Sequence, residues 1–127
     1  MPASALVNPL DARTGATLNG PVTEKLRQLE TTIALRKAAD PASSYVAKLN
    51  FGGVPLIARK VGEEAIETIV AALSADAAAL TSEAADLLFH LLVLLNARGV
   101  SLADVEDELA RREGMSGVTE KASRAGA

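Results

Sequence analysis

Apolar residues recur along this chain at the three- and four-residue spacing of helices, and no useful length of it alternates as a strand does. The first stretch, 1–21, is punctuated by Pro2, Asn8, Pro9, Gly15, Asn19, Gly20 and Pro21, and reads as a flexible leader. Thr23 then reads as an N-cap, with Leu26, Leu29, Ile33 and Ala34 on one face of a helix that continues to about Ala38 and breaks at Asp40-Pro41. Ser43 or Ser44 caps a short helix through Tyr45, Val46 and Leu49, ended by Gly52-Gly53. The next pattern predicts a long helix over Val54 to Leu73, with Ile57, Val61, Ala65, Ile69 and Ala72 as its stripe. Asp76 separates it from another, about Ala77 to Arg98, stopped at Gly99. Ser101 caps the last, Leu102 to Arg112, with Asp104 in its first turn and Gly114 at its end. Four substantial helices with short connections predict an all-α, four-helix-type bundle. A single domain is expected over 22–127, with Met115 to Ala127 as its polar tail.

The run Leu87-Leu88-Phe89-His90-Leu91-Leu92-Val93-Leu94-Leu95 is apolar nearly all round, and a helix of that kind must be covered on most sides. One small bundle offers too little cover, so a second copy of the chain is expected, most simply as a homodimer. Composition sharpens the helical reading. Hydrophobic residues are 49% of the chain and aromatics only 2%, so the core is built from Ala, Leu, Val and Ile. The absence of Cys excludes disulfides, thiolate metal sites and thiol nucleophiles. A net charge of −3 argues against a nucleic-acid polymer as partner. Met1 to Leu10 lacks the basic and apolar regions of a signal peptide, and purely apolar runs fall short of the about 20 residues that span a membrane. A cytoplasmic protein without membrane attachment is the expectation.

The candidate chemistry lies on the two central helices. One carries Glu63, Glu64 and Glu67; the next carries Glu83 and Asp86. Glu64 and Glu67 are three apart and share a face, and Glu83 and Asp86 repeat the spacing. An antiparallel hairpin brings the two pairs face to face. Acids at this spacing are ordinarily a solvated surface, but these are interleaved with, or directly precede, long apolar stretches. Carboxylates gathered in one place cannot all stay ionised without a counter-charge. Oxygen-only ligands select a hard cation, Mg²⁺ with Mn²⁺ as substitute, and the four groups suffice for one ion or two.

At these residues the sequence resembles the MazG-like all-α nucleotide pyrophosphohydrolases, through Glu64-x-x-Glu67 followed by Glu83-x-x-Asp86. More closely it is similar to the phosphoribosyl-ATP pyrophosphatase family of histidine biosynthesis. The stretches that carry this likeness are Ser44 to Leu49, Lys60 to Thr68, Glu83 to Leu95, and Arg112-Glu113-Gly114-Met115-Ser116-Gly117 with Glu120-Lys121, together spanning about 23–124. Phe89 departs from the family, where Tyr is expected in many members, and Asn50 to Pro55 departs from the usual connector. The resemblance implies Mg²⁺-dependent hydrolysis of phosphoribosyl-ATP to phosphoribosyl-AMP and pyrophosphate. It also implies a dimer with sites near subunit contacts, and Glu64, Glu67, Glu83 and Asp86 as metal ligands.

Roles for the remaining residues follow with alternatives open. Glu63 or Glu64 orients or deprotonates the attacking water. Lys48 and Lys60 are the first candidates to bind the substrate's phosphates, with Arg112 and Lys121 behind them; Lys60 serves equally as a helix-surface partner of Glu64. Ser116 and Gly117 offer backbone N–H groups. His90 lies one turn beyond Asp86 and either orients it or is a structural residue with one hydrogen bond, the plainer reading. Tyr45 is expected to pack with a bonded hydroxyl, while the resemblance adds substrate binding by stacking on the base. Two rival functions use the same residues: a housekeeping (d)NTP pyrophosphatase, and a non-catalytic helical dimer in which the acids decorate a surface.

Overall fold

The computed structural model describes residues 21–74, 76–113 and Arg124. Among them are five helices and no strand: α1 Pro21–Arg36, α2 Tyr45–Gly52, α3 Val54–Leu73, α4 Ala77–Ala97 and α5 Leu102–Arg112. The leader proper, the polar tail with Lys121, and the stop at Gly114 lie outside the described residues.

Local chemistry explains the boundaries. α1 starts at Pro21, ahead of the expected cap at Thr23. Proline suits the first turn of a helix, because its fixed φ is already helical and the N–H it lacks has no partner there. Ser44, rather than Ser43, caps α2: its Oγ accepts from the Ala47 N–H at 3.2 Å. Gly53 turns the chain from α2 into α3 at φ 88°, a left-handed conformation that side chains resist. Asp76 is more than a separator. Its Oδ1 accepts from the N–H groups of Ala78 and Ala79 at 3.0 and 3.2 Å, which caps α4. Gly99, at φ 72°, follows the end of that helix as glycine commonly does. Ser101 and Asp104 form a reciprocal capping box on α5, each side chain accepting from the other's backbone N–H at 3.0 Å.

α3 and α4 pack together along their lengths, and their short connection through 74–76 makes them an antiparallel hairpin. α1 and α2 close over one side of it. Ile33, Val46, Leu49, Ile57, Leu92 and Val93 form the buried core, with Leu26, Leu29, Leu56, Phe89 and Leu95 packed around it. α5 is tied to α1 by polar contacts. Glu30 Oε2 accepts from the Leu102 N–H at 2.6 Å, and Arg27 pairs with Glu106 at 2.7 Å.

The stripe expected on α3 needs correction. Ile57 is fully buried, but Ile69 is 59% exposed. The face turned to α4 passes instead through Ile57, Glu64 and Ala71, all buried. Stepping by fours from Ile57 drifts off a seam whose helical repeat is 3.6 residues, so the apolar count led outward while an acid turned in. Ile66, Ile69, Val70 and Leu73, at the i, i+3, i+4, i+7 spacing of one helix face, are left between 59% and 83% exposed. Leu88 and Leu91 of α4 are exposed too. By length and composition α4 is apolar enough to cross a membrane; it also carries Glu83 and Asp86, which belong to a cluster shared with α3.

Candidate active site

The hairpin brings the two acidic pairs together, as the spacing predicts. Carboxylate oxygens of Glu64, Glu83 and Asp86 all lie within 4.8 Å of one another. Glu67, on the exposed side, stands within side-chain hydrogen-bonding reach of both Glu64 and Glu83. α3 supplies two of the four groups and α4 the other two, each pair one helical turn apart.

The electrostatics are unfavourable as they stand. Glu64 is buried, and that burial, followed by the neighbouring Glu67 and Asp86 carboxylates, pushes its carboxyl above the ordinary value of 4.5. Glu83 is raised as well, first by the Glu67 carboxyl beside it and then by burial. Oε2 of Glu64 and Oε2 of Glu83 are both buried without a hydrogen-bond partner. Orphaned buried acceptors carry a desolvation cost that a donor or cation removes. One carboxylate oxygen from each of Glu64, Glu83 and Asp86 is thus close enough to the others to turn toward a shared cation. The donor set, four oxygens and no nitrogen or sulfur, suits a hard divalent cation.

Beside the cluster, Tyr45 of α2 and His90 of α4 are joined by a 2.8 Å hydrogen bond between Oη and Nε2. His90 is buried, and its Nδ1 lies 2.7 Å from the main-chain oxygen of Asp86. Phe89 stacks on Tyr45 with ring centroids 5.9 Å apart and meets His90 edge-on at 5.2 Å. Partial burial raises the Tyr45 phenol; Lys60 opposes this, and Glu64, Asp86 and Glu63 reinforce it. The ring therefore lies within electrostatic reach of the acids. Sequence reasoning treated Tyr45 and His90 separately. The four-residue step from Asp86 to His90 was a visible signal, but Tyr45 comes from another helix and no spacing announces it.

The cationic candidates are dispersed. Lys60 pairs with Glu63 at 3.2 Å, not with Glu64, and that carboxylate raises its ammonium. Arg59 also reaches Glu63, at 3.5 Å. Helix geometry explains the exchange of partners: α3 turns Glu64 inward to α4 and leaves Glu63 beside Lys60. Lys48 is exposed on α2 and lines an open cavity of about 630 Å³ with Ser44, Tyr45 and Phe51. Arg112 is held by Glu108 at 3.0 Å within α5. Lys121 lies outside the described residues.

Fold and cluster together define a class: an all-α, MazG-like bundle with a carboxylate cluster between two antiparallel helices. Comparison with known proteins is specific. The phosphoribosyl-ATP pyrophosphohydrolase model matches residues 26–113. A phosphoribosyl-ATP pyrophosphatase of Rhizorhabdus wittichii is 60% identical over 103 residues, covering 81% of this chain and 97% of the relative. One from Erythrobacter litoralis is 63% identical over 99 residues, 78% of this chain and 95% of its own. One from Paracoccus denitrificans is 56% identical over 107 residues, 84% of this chain and 99% of its own. The chain belongs to the phosphoribosyl-ATP pyrophosphohydrolase family.

Proposed function

We propose that this protein hydrolyses phosphoribosyl-ATP between its α and β phosphates, giving phosphoribosyl-AMP and pyrophosphate in histidine biosynthesis. The observation that supports this most is the pair of buried, partnerless oxygens on Glu64 and Glu83 within an all-oxygen cluster. Glu64, Glu67, Glu83 and Asp86 would hold Mg²⁺, or Mn²⁺ in its place; once bound, such an ion neutralises charge on the phosphates and on the leaving pyrophosphate.

The remaining work falls to the protein. Glu63 is occupied by Arg59 and Lys60, whereas Glu64 is buried, aimed at its fellow acids, and has a raised affinity for protons. Glu64 is therefore the better carboxylate to orient the attacking water. Lys60, less exposed than Arg59, and Lys48, on the rim of the α2 cavity, bring positive charge to the substrate's other phosphates. Arg112 is engaged by Glu108 within α5, and Lys121 lies outside the described residues.

The exposed stripe Ile66, Ile69, Val70 and Leu73 of α3, together with the exposed Leu88 and Leu91 of α4, supports a homodimer built on the α3–α4 hairpin. Contiguous exposed apolar residues of this kind mark interaction surfaces. Two copies meeting there also account for the apolar character of α4 in a cytoplasmic enzyme, and leave 22–127 as its single domain behind the leader.

The test is pyrophosphate release, coupled to an inorganic pyrophosphatase, with phosphoribosyl-ATP and a panel of NTPs and dNTPs. Preference for phosphoribosyl-ATP is expected. Preference for a canonical or modified nucleoside triphosphate would overturn the substrate assignment, and no hydrolysis of any of them would overturn the reaction.

A further inference from the structure

The Tyr45–His90 pair has a polarity that the carboxylate chemistry does not use. Nδ1 of His90 faces the Asp86 main-chain oxygen at 2.7 Å. A carbonyl oxygen only accepts, so Nδ1 carries a proton. In the neutral imidazole Nε2 is then a lone pair, and it stands 2.8 Å from Tyr45 Oη. The phenolic O–H is the group that fills that gap. With the imidazole neutral, Tyr45 donates inward, and its hydroxyl has only lone pairs to offer outward. Phe89, stacked on one ring and edge-on to the other, fixes both orientations.

Position says what those lone pairs meet. Tyr45 is half-exposed, 47%, and lies within electrostatic reach of the carboxylates on one side. On the other it lines the cavity of about 630 Å³ that also takes in Lys48 and the 85% exposed ring of Phe51. A substrate with its phosphates at the acids and its base toward that cavity passes its sugar across Tyr45. Phosphate oxygens are acceptors and gain nothing from an acceptor. Sugar hydroxyls donate.

We infer that His90 is a positioning residue that makes Tyr45 an acceptor-only hydroxyl, and that Tyr45 holds a hydroxyl of the ribose bearing the triphosphate. The inference rests on the pyrophosphohydrolase reading above and deepens it to a sugar subsite. It adds a role for His90, which otherwise is a buried polar residue in a leucine-rich helix.

Two measurements test it. The first compares kcat and KM for phosphoribosyl-ATP with the analogues prepared from 2′-deoxy-ATP and 3′-deoxy-ATP, in the wild type and in Tyr45→Phe. Wild type should lose about fivefold in kcat/KM on one deoxy analogue, mainly through KM, as expected for one neutral hydrogen bond. Tyr45→Phe should lose the same factor on the ribose substrate and nothing further on that analogue. A wild type indifferent to both deletions, or a variant that still discriminates as wild type does, overturns the subsite. A wild type that turns over none of the three substrates fails the parent reading instead. The second measurement is ¹⁵N NMR of His90 in the wild type at assay pH. A protonated Nδ1 with an unprotonated Nε2 is expected; a proton on Nε2, in the other tautomer or the imidazolium, overturns the positioning role.

Discussion

Acids at helical spacing occur in two regions of this molecule, and the two treat them in opposite ways. On α5, Asp104 receives the Ser101 backbone N–H, and Glu108 is gripped by Arg111 at 2.6 Å and Arg112 at 3.0 Å. Asp104 is lowered by that backbone hydrogen bond, and Glu108 is pulled down to about 2, first by its bond from Arg111 and then by Arg112. On the α3–α4 hairpin, Glu64 and Glu83 are raised, and each keeps a buried oxygen without a partner. Spacing is alike in the two places; the supply of donors is not. Where the chain provides its own donors, the carboxylates hold a helix together. Where it withholds them, the carboxylates are left raised and partnerless, and perturbed carboxylates of that kind concentrate at functional positions.

The sharpest way to break this contrast is to neutralise one acid from each region. Glu64→Gln should lower turnover by roughly 100-fold or more, since the phosphoryl-charge stabilisation at stake is worth several kcal/mol. Its helical circular dichroism should persist. Glu108→Gln should leave turnover within about twofold. Equal losses in the two variants would erase the distinction.

A second change tests what flanks the cluster. Replacing Ile69 and Leu73 by Asp together should halve the mass measured by light scattering, because charge in a desolvated apolar contact is heavily penalised. An unchanged mass would rule out the hairpin stripe as a subunit contact, whereas the same substitution at the exposed Leu109 of α5 should change nothing. Ser101→Ala, which removes the α5 cap, should cost about 1 kcal/mol in denaturant unfolding with turnover retained.

The smallest effect is in pH, and its sign differs between regions. Glu64 and Glu83 bind protons more tightly folded than unfolded, so metal-free stability should fall as pH rises from 4.5 through their raised values. Glu108 does the reverse: its contribution is present above 4.5 and is lost as pH falls from there toward about 2. Thermal melts of Glu64→Gln and Glu108→Gln across about pH 3 to 8 should each flatten one limb of the wild-type curve.

How much of this was legible in the sequence depends on whether the signal was local. Ser44, Gly53, Asp76, Gly99 and Ser101 act within a few residues of themselves, and the helix boundaries they set were readable. The acidic pairs were readable because a hairpin of two adjacent helices leaves little freedom in how they face. The buried face of α3 was misjudged because a stripe of apolar residues there belongs to an outer surface, while the inner seam carries Glu64. Tyr45 meeting His90, and Glu30 capping α5 from α1, depend on how non-neighbouring helices pack; no periodicity within one helix encodes either. The partner of Lys60 was mistaken by one residue, since helix spacing permits both Glu63 and Glu64 and only the inward turn of Glu64 decides.

The claim beneath everything is that Glu64, Glu67, Glu83 and Asp86 form one divalent-cation site. Titrating Mn²⁺ into the protein without substrate, with free ion followed by electron paramagnetic resonance, addresses it directly. Wild type should deplete the free-ion signal saturably, Mg²⁺ should compete it back, and Glu64→Gln/Glu83→Gln should leave the signal at its protein-free level. A wild type that leaves the signal untouched, or a double variant that binds as wild type does, would contradict the account.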